Sequence, residues 1–377
     1  MHTHLGFWSS QALHIVHLNT MRGWGGGELQ VLNLVRGLRR SGLRSTLLAR
    51  PGGELLRRAS ESGDVDTSAF GFLFPYGPLA SIRLRRLLRR IGATVLHVHD
   101  GRGAAVGLAA GRGLRNLSIV VHRHTSSPIR KNRFSQRRYR SDCITAFIAV
   151  SESASDNLRH IGVPMERVTV IPGGVDLDNL QEDGDRLKYR AEIGSGTGPV
   201  IGTVGALVPK KDIGTFIRAA AILSRRNSSA RFVVVGEGRE RAALEAQARA
   251  AGLGDRIVFT GAVPEAHSYI GAMDAFAFPS LREGSPGVVK EAMALGVPVV
   301  AARSPGTEET VPEGTGLLVP AQDADAMAQA IERVLEPSNG RERMIEEARA
   351  WVAESYSVAG MVAGTIDLYR GLSDEGS

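Results

Sequence analysis

The sequence predicts an α/β protein built from two doubly wound parallel-sheet domains that face each other across a cleft. A length of 377 residues exceeds the roughly 250–300 residues that one hydrophobic core usually organises. Short apolar runs alternate with longer amphipathic stretches along nearly the whole chain, as in repeated βα units. A polar stretch, Asp176–Gly198, interrupts this alternation near the middle and is the predicted linker.

The strands of the two domains can be located from their apolar, β-branched runs, which are typical of buried parallel strands. After the first strand, Glu28–Arg40 is the first predicted helix. The pattern predicts two Rossmann-like domains, residues 1–180 and 181–355, followed by a C-terminal segment, residues 356–377. Their carboxyl edges, where ligands of open sheets bind, are expected to line the cleft. The predicted strands are Leu13–Leu18, Ser45–Ala49, Thr94–Val98, Ser118–Val121, Ile144–Val150 and Val168–Ile171, then Pro199–Val204, Arg231–Val235, Arg256–Phe259, Ala275–Phe278 and Val297–Ala301.

The composition excludes several classes of protein. Apolar residues make up 43% and charged residues 23% of the chain, as in ordinary globular proteins, which excludes a disordered or collagen-like protein. Cys143 is the single cysteine and no Cys/His spacing typical of a zinc site occurs, so neither an internal disulfide nor a metal is expected. Met1–Gln11 lacks a signal-peptide pattern and no apolar run reaches about 18 residues. A cytoplasmic location is therefore predicted.

Charge is unevenly distributed between the two halves. Residues 1–175 contain 25 basic and 10 acidic residues, a net charge of +15, whereas residues 176–377 have a net charge of −8. A basic half favours anionic partners such as phosphates, nucleic acid or an anionic membrane surface.

Two basic segments of the first half have alternative interpretations. Leu84, Leu87, Leu88 and Ile91 form a helical stripe among five arginines. Such a helix can lie on an anionic leaflet, or it can pack on its own sheet with a solvated basic face. The loop Arg130–Arg140 carries six positive charges and two aromatic residues, and it could bind a phosphate-bearing acceptor or lipid headgroups. No RNA-recognition motif accompanies it, so nucleic acid is not an expected partner.

A glycine cluster follows the first strand. Gly25, Gly26 and Gly27 precede the first helix, where glycines let backbone N–H groups approach an anion. A phosphate or sugar site and a simple tight turn both fit this pattern, and the position after the first strand favours the binding site.

Two glutamates flank the start of a helix in the second half. Ser285 is a possible N-cap and Pro286 a possible first helical residue. Glu283 would then lie on the preceding loop and Glu291 about two turns into the helix. Carboxylates accept hydrogen bonds from sugar hydroxyls while amides at a helix start hold phosphate, so the arrangement suits a nucleotide sugar.

Taken together, these residues resemble glycosyltransferase family 4, retaining enzymes of the GT-B fold. The most specific match is the pair Glu283 and Glu291, eight positions apart, followed by the run Ala292–Pro298. The similarity covers most of the chain and is supported by weaker matches at Gly26–Glu28, Ile148–Glu152, Val170–Pro172 with Gly174–Asp176, Val235–Gly238 and Gly316–Pro320.

The resemblance implies roles for individual residues. Lys211 corresponds to a lysine that binds the donor diphosphate, Glu283 to the carboxylate that contacts the donor sugar, and Glu291 to the one that holds the ribose. Ala206 stands where the family commonly has a second phosphate-binding arginine. Either Lys210, the glycine loop or a basic residue of the first domain compensates, or the protein binds its donor weakly; compensation is expected because the rest of the pocket signature is present. Gly287 replaces an asparagine that many relatives carry. The donor site is expected to include Gly25, Gly26, Gly27, Lys210, Val263, Ser285, Pro286, Gly287, Val288 and Glu291.

His124 is the remaining catalytic candidate. It lies at the end of the strand Ser118–Arg123 and falls where the family has a histidine beside the reacting sugar carbon. A structural role is the common alternative for such a histidine, but an edge position favours catalysis. His97 and His99 are expected to be structural or to serve the acceptor.

The resemblance further implies a function. The first domain would bind a glycan or lipid-linked acceptor, the second a nucleoside diphosphate sugar, and the helix near Val358–Tyr369 would cross back to the first domain. The expected reaction is retaining sugar transfer without a cofactor, in cell-envelope polysaccharide or lipopolysaccharide synthesis, with possible peripheral attachment to the inner face of the cytoplasmic membrane. The alternatives are a GT-B sugar-nucleotide epimerase or hydrolase, and a non-catalytic basic binding protein.

Overall fold

The computed structural model describes residues 13–71, 78–129, 133–180, 186–264 and 266–374, which form two compact α/β domains. The N-terminal domain contains the chain up to Gly174 and again from Val358, and the C-terminal domain is Val175–Ser357. The division thus precedes the predicted position at residues 180/181. Val175 belongs to the second domain because its N–H donates to the Tyr356 carbonyl (2.6 Å). The segment Met1–Gln11, whose sequence lacks a signal-peptide pattern, lies outside the described residues.

The N-terminal domain has a seven-stranded sheet in the order β3-β2-β1-β4-β5-β6-β7, with every strand pair parallel. Its strands are β1 (His14–Asn19), β2 (Arg44–Ala49), β3 (Asp66–Ala69), β4 (Val95–Val98), β5 (Ser118–Arg123), β6 (Ala146–Ala149) and β7 (Val168–Val170). Its helices before the linker are α1 (Gly26–Arg40), α2 (Glu54–Ser62), α3 (Pro78–Ile91), α4 (Gly101–Gly111), α5 (Arg133–Tyr139) and α6 (Glu152–Arg159).

The last helix of the chain belongs to this domain. Helix α15 (Val358–Asp374) buries Val362 and Tyr369 in the same apolar cluster as Ile15 of β1. It lies directly against α1, because a Cβ on Gly37 would be 2.3 Å from a methyl carbon of Val362. Side chains alternate along a strand, so His17 lies on the same sheet face as Ile15, which is the face that α15 covers.

The C-terminal domain has a six-stranded parallel sheet in the order β10-β9-β8-β11-β12-β13. Apolar clusters fill both of its faces, one around Phe276 and the other around Phe232. The strands are β8 (Val200–Val204), β9 (Arg231–Val235), β10 (Ile257–Gly261), β11 (Ala275–Phe278), β12 (Val299–Ala302) and β13 (Leu317–Val319). The helices are α7 (Arg186–Glu192), α8 (Ile213–Arg226), α9 (Arg241–Ala250), α10 (Ala266–Gly271), α11 (Gly287–Ala294), α12 (Pro305–Thr310), α13 (Ala324–Leu335) and α14 (Asn339–Ser355).

The two parallel-sheet α/β domains confirm the predicted fold class. The edge strands β3 and β13 were not predicted; β3 is mostly solvent-exposed and therefore lacks the apolar run that is typical of the buried strands. None of the helices in the described ranges combines the length and the apolar character needed to cross a bilayer.

Candidate active site

A lysine and a glutamate meet where the strand order of the C-terminal sheet switches direction, between β8 and β11. Lys211 ends a 3₁₀ turn, Pro209–Lys211, that follows β8, and Glu283 lies in the loop after β11. The Lys211 Nζ is 2.6 Å from the Glu283 Oε1, and the two side chains retain 16% and 13% of their exposure. Ligands of open α/β sheets bind outside the strand ends at such a point.

The loops that carry this ion pair are fastened to each other. The Ser280 Oγ lies 2.6 Å from the Glu283 Oε1 and 3.1 Å from the Lys210 carbonyl oxygen. The Leu281 N–H donates to the same carbonyl (2.9 Å). These contacts fix the carboxylate relative to the lysine, as a preorganised charge-stabilising site requires.

A glycine of α12 lies beneath the Glu283 loop. A Cβ on Gly306 would be 2.5 Å from the Glu283 carbonyl oxygen and 2.7 Å from that of Gly284. Both atoms are backbone, so a larger residue could be accommodated only by moving the loop.

Replacing Gly306 with alanine is therefore expected to reduce turnover about 10-fold to 10²-fold, because small displacements of reacting groups have effects of this size. Steady-state kinetics at saturating donor checks this. Gly271→Ala is the matched control, because a Cβ there meets no atom within 4 Å. Wild-type turnover of Gly306→Ala would show that the position of the Glu283 loop does not matter.

Helix α11 begins one residue later than predicted, and Ser285 is not its N-cap. Pro286 occupies the N-cap position with an extended ψ of 108°, no side chain caps this end, and Gly287 is the first helical residue. Glu291 is the fifth residue of the helix and so lies about one turn into it, whereas two turns were predicted. A Cβ on Gly287 would lie 3.9 Å from the Glu291 Oε1, so the two residues share a face and an asparagine at position 287 would have room.

Burial shifts the pKa of two adjacent, oppositely charged residues of α11, Lys290 and Glu291. Burial raises the pKa of Glu291 to about 7, against the attraction of neighbouring Lys290. Burial also lowers the pKa of Lys290 to about 7. The Lys290 Nζ lies 4.1 Å from the ring centroid of Tyr356, inside the domain, so Glu291 rather than Lys290 is the charge available to a ligand.

The other residues predicted for the donor site of the C-terminal domain differ in exposure. Lys210 and Ala206 are exposed on the loop after β8, and Ser285 is half-buried before α11. Val263, which follows β10, and Val288 of α11 pack against the apolar cluster around Phe276. Within the Val235–Gly238 motif, position 236 requires glycine for a steric reason, because a Cβ there would be 2.0 Å from the Gly205 carbonyl oxygen.

The glycine loop of the N-terminal domain forms the start of α1. Gly25 is the N-cap, Gly26 is the first helical residue, and no side chain caps this end. The Glu28 carboxylate instead bonds to the backbone of Gly25 and of Glu28 and to the Asn19 side chain, while burial raises its pKa. Some of the amides that an anion would meet therefore already have an acceptor. Anion binding at Gly25–Gly27 stays a prediction.

His124 follows β5 and lies next to this loop. A Cβ on Gly27 would be 3.8 Å from the His124 Cβ. Burial, aided by neighbouring Arg123, lowers the pKa of His124 to about 4, so the imidazole is neutral at physiological pH. The structure thus brings Gly27 and His124 together at the carboxyl edge of the N-terminal sheet. A neutral imidazole can donate or accept a hydrogen bond there.

Four further histidines form a buried cluster with His124. They are His17 on β1, His97 and His99 on or just after β4, and His122 on β5. The His17 Nδ1 is 2.9 Å from the His99 Nε2, and the His99 Nδ1 is 3.1 Å from the His124 Nε2. His17 was not predicted as a site residue. The cluster depends on pairing between β1, β4 and β5, which local spacing does not reveal.

Several nitrogens of this cluster have no hydrogen-bond partner. They are the His17 Nε2, the His97 Nε2, both ring nitrogens of His122 and the His124 Nδ1. A buried polar group without a partner typically costs about 1–3 kcal/mol. Burial lowers the pKa values of His17, His97, His99 and His122 as well, which keeps these rings neutral.

The basic helix α3 uses its apolar stripe inside the domain. Leu84 and Leu88 are fully buried, and Leu87 and Ile91 pack against the same cluster. The stripe is therefore not available to a membrane, although most of the arginines on this helix remain exposed. In the second basic segment, residues 130–132 lie outside the described residues and Arg133–Tyr139 form α5.

The two α/β domains and the residues of the candidate site indicate a class of protein, and comparison with known proteins identifies the family. Residues 24–179 match the family described as Glycosyltransferase Family 4, and residues 185–351 match Glycosyl transferases group 1. The crystal structure of Anabaena HepE in complex with UDP has the same fold, with a TM-score of 0.84 and 22% identity, covering 95% of this chain and 100% of that one. The predicted GT-B fold is thereby confirmed.

Curated relatives extend the similarity across both domains. The chain is 30% identical over 313 residues to alpha-D-kanosaminyltransferase of Streptomyces kanamyceticus, covering 76% of this chain and 79% of the relative. It is 31% identical over 314 residues to the GDP-mannose-dependent alpha-(1-6)-phosphatidylinositol monomannoside mannosyltransferase of Mycolicibacterium smegmatis, covering 80% and 75%. The chain belongs to glycosyltransferase family 4 and is a glycosyltransferase.

Proposed function

We propose that this glycosyltransferase moves a sugar from a nucleoside diphosphate donor to a hydroxyl of a glycan or lipid-linked acceptor, with retention of anomeric configuration. The observation that carries the proposal is the Lys211–Glu283 ion pair at the β8/β11 switch point, with Glu291 one turn into α11. Synthesis of cell-envelope polysaccharide or lipopolysaccharide is the proposed setting. The phosphatidylinositol monomannoside in the name of the M. smegmatis relative supports a lipid-linked acceptor.

Donor binding is assigned to the C-terminal domain. The Lys211 ammonium carries three N–H donors, so it can hold a diphosphate oxygen while it keeps its bond to Glu283. Glu283 would accept from sugar hydroxyls and Glu291 from ribose hydroxyls. The UDP in the structure of Anabaena HepE supports a nucleotide ligand for this fold.

Catalysis would rest on electrostatic stabilisation of the leaving group. The bond between the anomeric carbon and the diphosphate oxygen breaks while a bond to the acceptor oxygen forms on the same face, and the acceptor's proton passes to the leaving phosphate. Negative charge that develops on the diphosphate is stabilised by Lys211 and by amides at the start of α11, with Gly25–Gly27 as a further proposed donor group. Neutral His124 would hydrogen-bond to the sugar being transferred.

Product analysis tests this function against its alternatives. The protein is incubated with individual nucleoside diphosphate sugars, with and without candidate acceptors, and released nucleotide and product anomers are measured by chromatography and NMR. Acceptor-dependent nucleotide release with retained configuration is expected. Release or epimerisation of the donor without acceptor would favour the hydrolase or epimerase, and no nucleotide binding would favour the non-catalytic protein.

Donor affinity is expected to fall with decreasing pH through about 7. The pKa of Glu291 is raised to about 7, so the carboxylate is ionised above this pH and protonated below it. Charged carboxylates accept the stronger hydrogen bonds, so Kd should rise up to about 10-fold from pH 8 to pH 6. Nucleoside diphosphate sugars have no phosphate titration in this range. Calorimetric titration with the donor at each pH measures Kd. If Kd depended on pH in Glu291→Gln as it does in the parent protein, the prediction would be contradicted.

Membrane attachment stays a prediction. The exposed arginines of α3, together with Leu79 and Ile82, which are 68% and 44% exposed, are the groups that could contact an anionic surface. The buried stripe of the helix plays no part in it.

A further inference from the structure

We propose that His17, His97 and His99 bind one divalent transition-metal ion of the Zn²⁺ type. Each histidine offers a ring nitrogen, and the three nitrogens lie within 4.8 Å of one another. All three side chains are at least 95% buried on the sheet face that α15 covers. The site lies wholly within the N-terminal domain, and its ligand His99 is 3.1 Å from His124, the residue proposed to contact the transferred sugar.

The pairing of the strands explains why these three rings converge. β1 and β4 are adjacent and parallel, and His17 is directly paired with His97. His99 follows His97 by two positions and so lies on the same face. The ring centroids of His97 and His99 are 4.2 Å apart, and those of His17 are 5.2 Å from each.

Hydrogen bonds select the nitrogens that would bind metal. The His97 Nδ1 is 2.6 Å from the Tyr369 Oη, while its Nε2 is buried without a partner, so Nε2 is the free ligand. A partner on the second ring nitrogen is the usual way in which proteins orient a metal-binding histidine. Tyr369 of α15 would thus be a positioning residue for the site.

The other two ligands are the His17 Nδ1 and the His99 Nε2, 2.9 Å apart. Two imidazoles on a tetrahedral Zn²⁺ with bonds of about 2.0–2.1 Å place their nitrogens about 3.3 Å apart. A slight increase in the distance between these two nitrogens would therefore allow a metal ion to take the place of the proton that they share. The His99 Nδ1 then carries the proton and donates a hydrogen bond to the His124 Nε2, 3.1 Å away. His124 is the half-buried member of the cluster.

The chemistry of the ligands favours a transition metal. Neutral imidazole suits Zn²⁺, Co²⁺, Ni²⁺ and Cu²⁺, whereas Mg²⁺ and Ca²⁺ prefer oxygen ligands. Three histidines leave a fourth position for water. This inference does not depend on the proposed function, since the ion holds the ends of β1 and β4 together and has no assigned part in sugar transfer.

Zn²⁺ titration of tag-free, EDTA-treated protein tests the proposal. His2 and His4, which lie outside the described residues, are replaced by alanine so that they do not compete for the ion. A competing chromophoric chelator gives stoichiometry and affinity, Co²⁺ absorption gives the ligand geometry, and thermal melts follow stability. One equivalent with submicromolar Kd, tetrahedral Co²⁺ bands and a higher Tm are expected, because a ligand of the folded state stabilises it.

Variants locate the ion. His97→Ala should weaken Zn²⁺ binding at least 100-fold, and Tyr369→Phe about 10-fold to 100-fold. His160→Ala, which removes a histidine outside the cluster, and His122→Ala should bind Zn²⁺ as the parent does. Circular dichroism in EDTA shows whether each variant folds. If His97→Ala does not fold, the Zn²⁺ affinity of Tyr369→Phe tests the proposal in its place. Absence of stoichiometric Zn²⁺, unchanged affinity of a folded His97→Ala, or loss of binding in His122→Ala would overturn the proposal.

Discussion

Replacing Lys211 with alanine is expected to lower turnover by about 10²-fold or more, the effect of removing one preorganised charge-stabilising donor. The change removes the cation assigned to the leaving diphosphate, and it also leaves the Glu283 carboxylate, at 13% exposure, without its ion-pair partner. Affinity for a nucleoside diphosphate without sugar should fall as well, because the diphosphate itself loses a contact. Turnover and calorimetric Kd are the measurements.

The control for this variant is Lys188→Ala, which removes an exposed lysine of α7 in the same domain. It should retain turnover within about 2-fold, since exposed charges usually contribute little. If Lys211→Ala kept the parent's turnover, the leaving-group role assigned to the ion pair would be wrong.

Glu283→Gln is also expected to reduce turnover by about 10²-fold, since it keeps the shape of the side chain and removes its charge. Its binding signature should differ from that of Lys211→Ala. Affinity for the nucleoside diphosphate sugar should fall, while affinity for the nucleoside diphosphate alone should not, because Glu283 is assigned to the sugar. Glu342→Gln, at an exposed position of α14, is the matched control. Equal losses for both ligands would contradict the assignment of Glu283 to the sugar.

The class of protein could be predicted from the sequence because the motifs that indicate it most strongly are formed by residues close together in the chain. Glu283 and Glu291 lie in one loop and the helix that follows it, so their spacing could be recognised in the sequence although the start of α11, at Gly287, was not predicted correctly. Apolar β-branched runs predicted most strands, because both faces of these parallel sheets are buried. The mostly exposed strand Asp66–Ala69 has no such run and was missed.

Contacts between distant residues could not be predicted from spacing. The Lys211–Glu283 bond joins residues 72 positions apart, and it forms only because β8 and β11 are neighbours in the sheet. The bond between His97 and Tyr369 joins residues 272 positions apart, through the return of α15 to the N-terminal domain. The predicted cap at Ser285 failed for a local reason, the extended ψ of Pro286.

The central claim is that the C-terminal domain holds a nucleoside diphosphate sugar at the β8/β11 switch point. A crystal structure with the donor that gives the largest thermal stabilisation tests it most directly. We predict diphosphate oxygens within hydrogen-bond distance of the Lys211 Nζ and ribose hydroxyls on the Glu291 carboxylate. A nucleotide bound elsewhere, with the Lys211–Glu283 pair untouched and Glu291 free of ribose, would contradict the account.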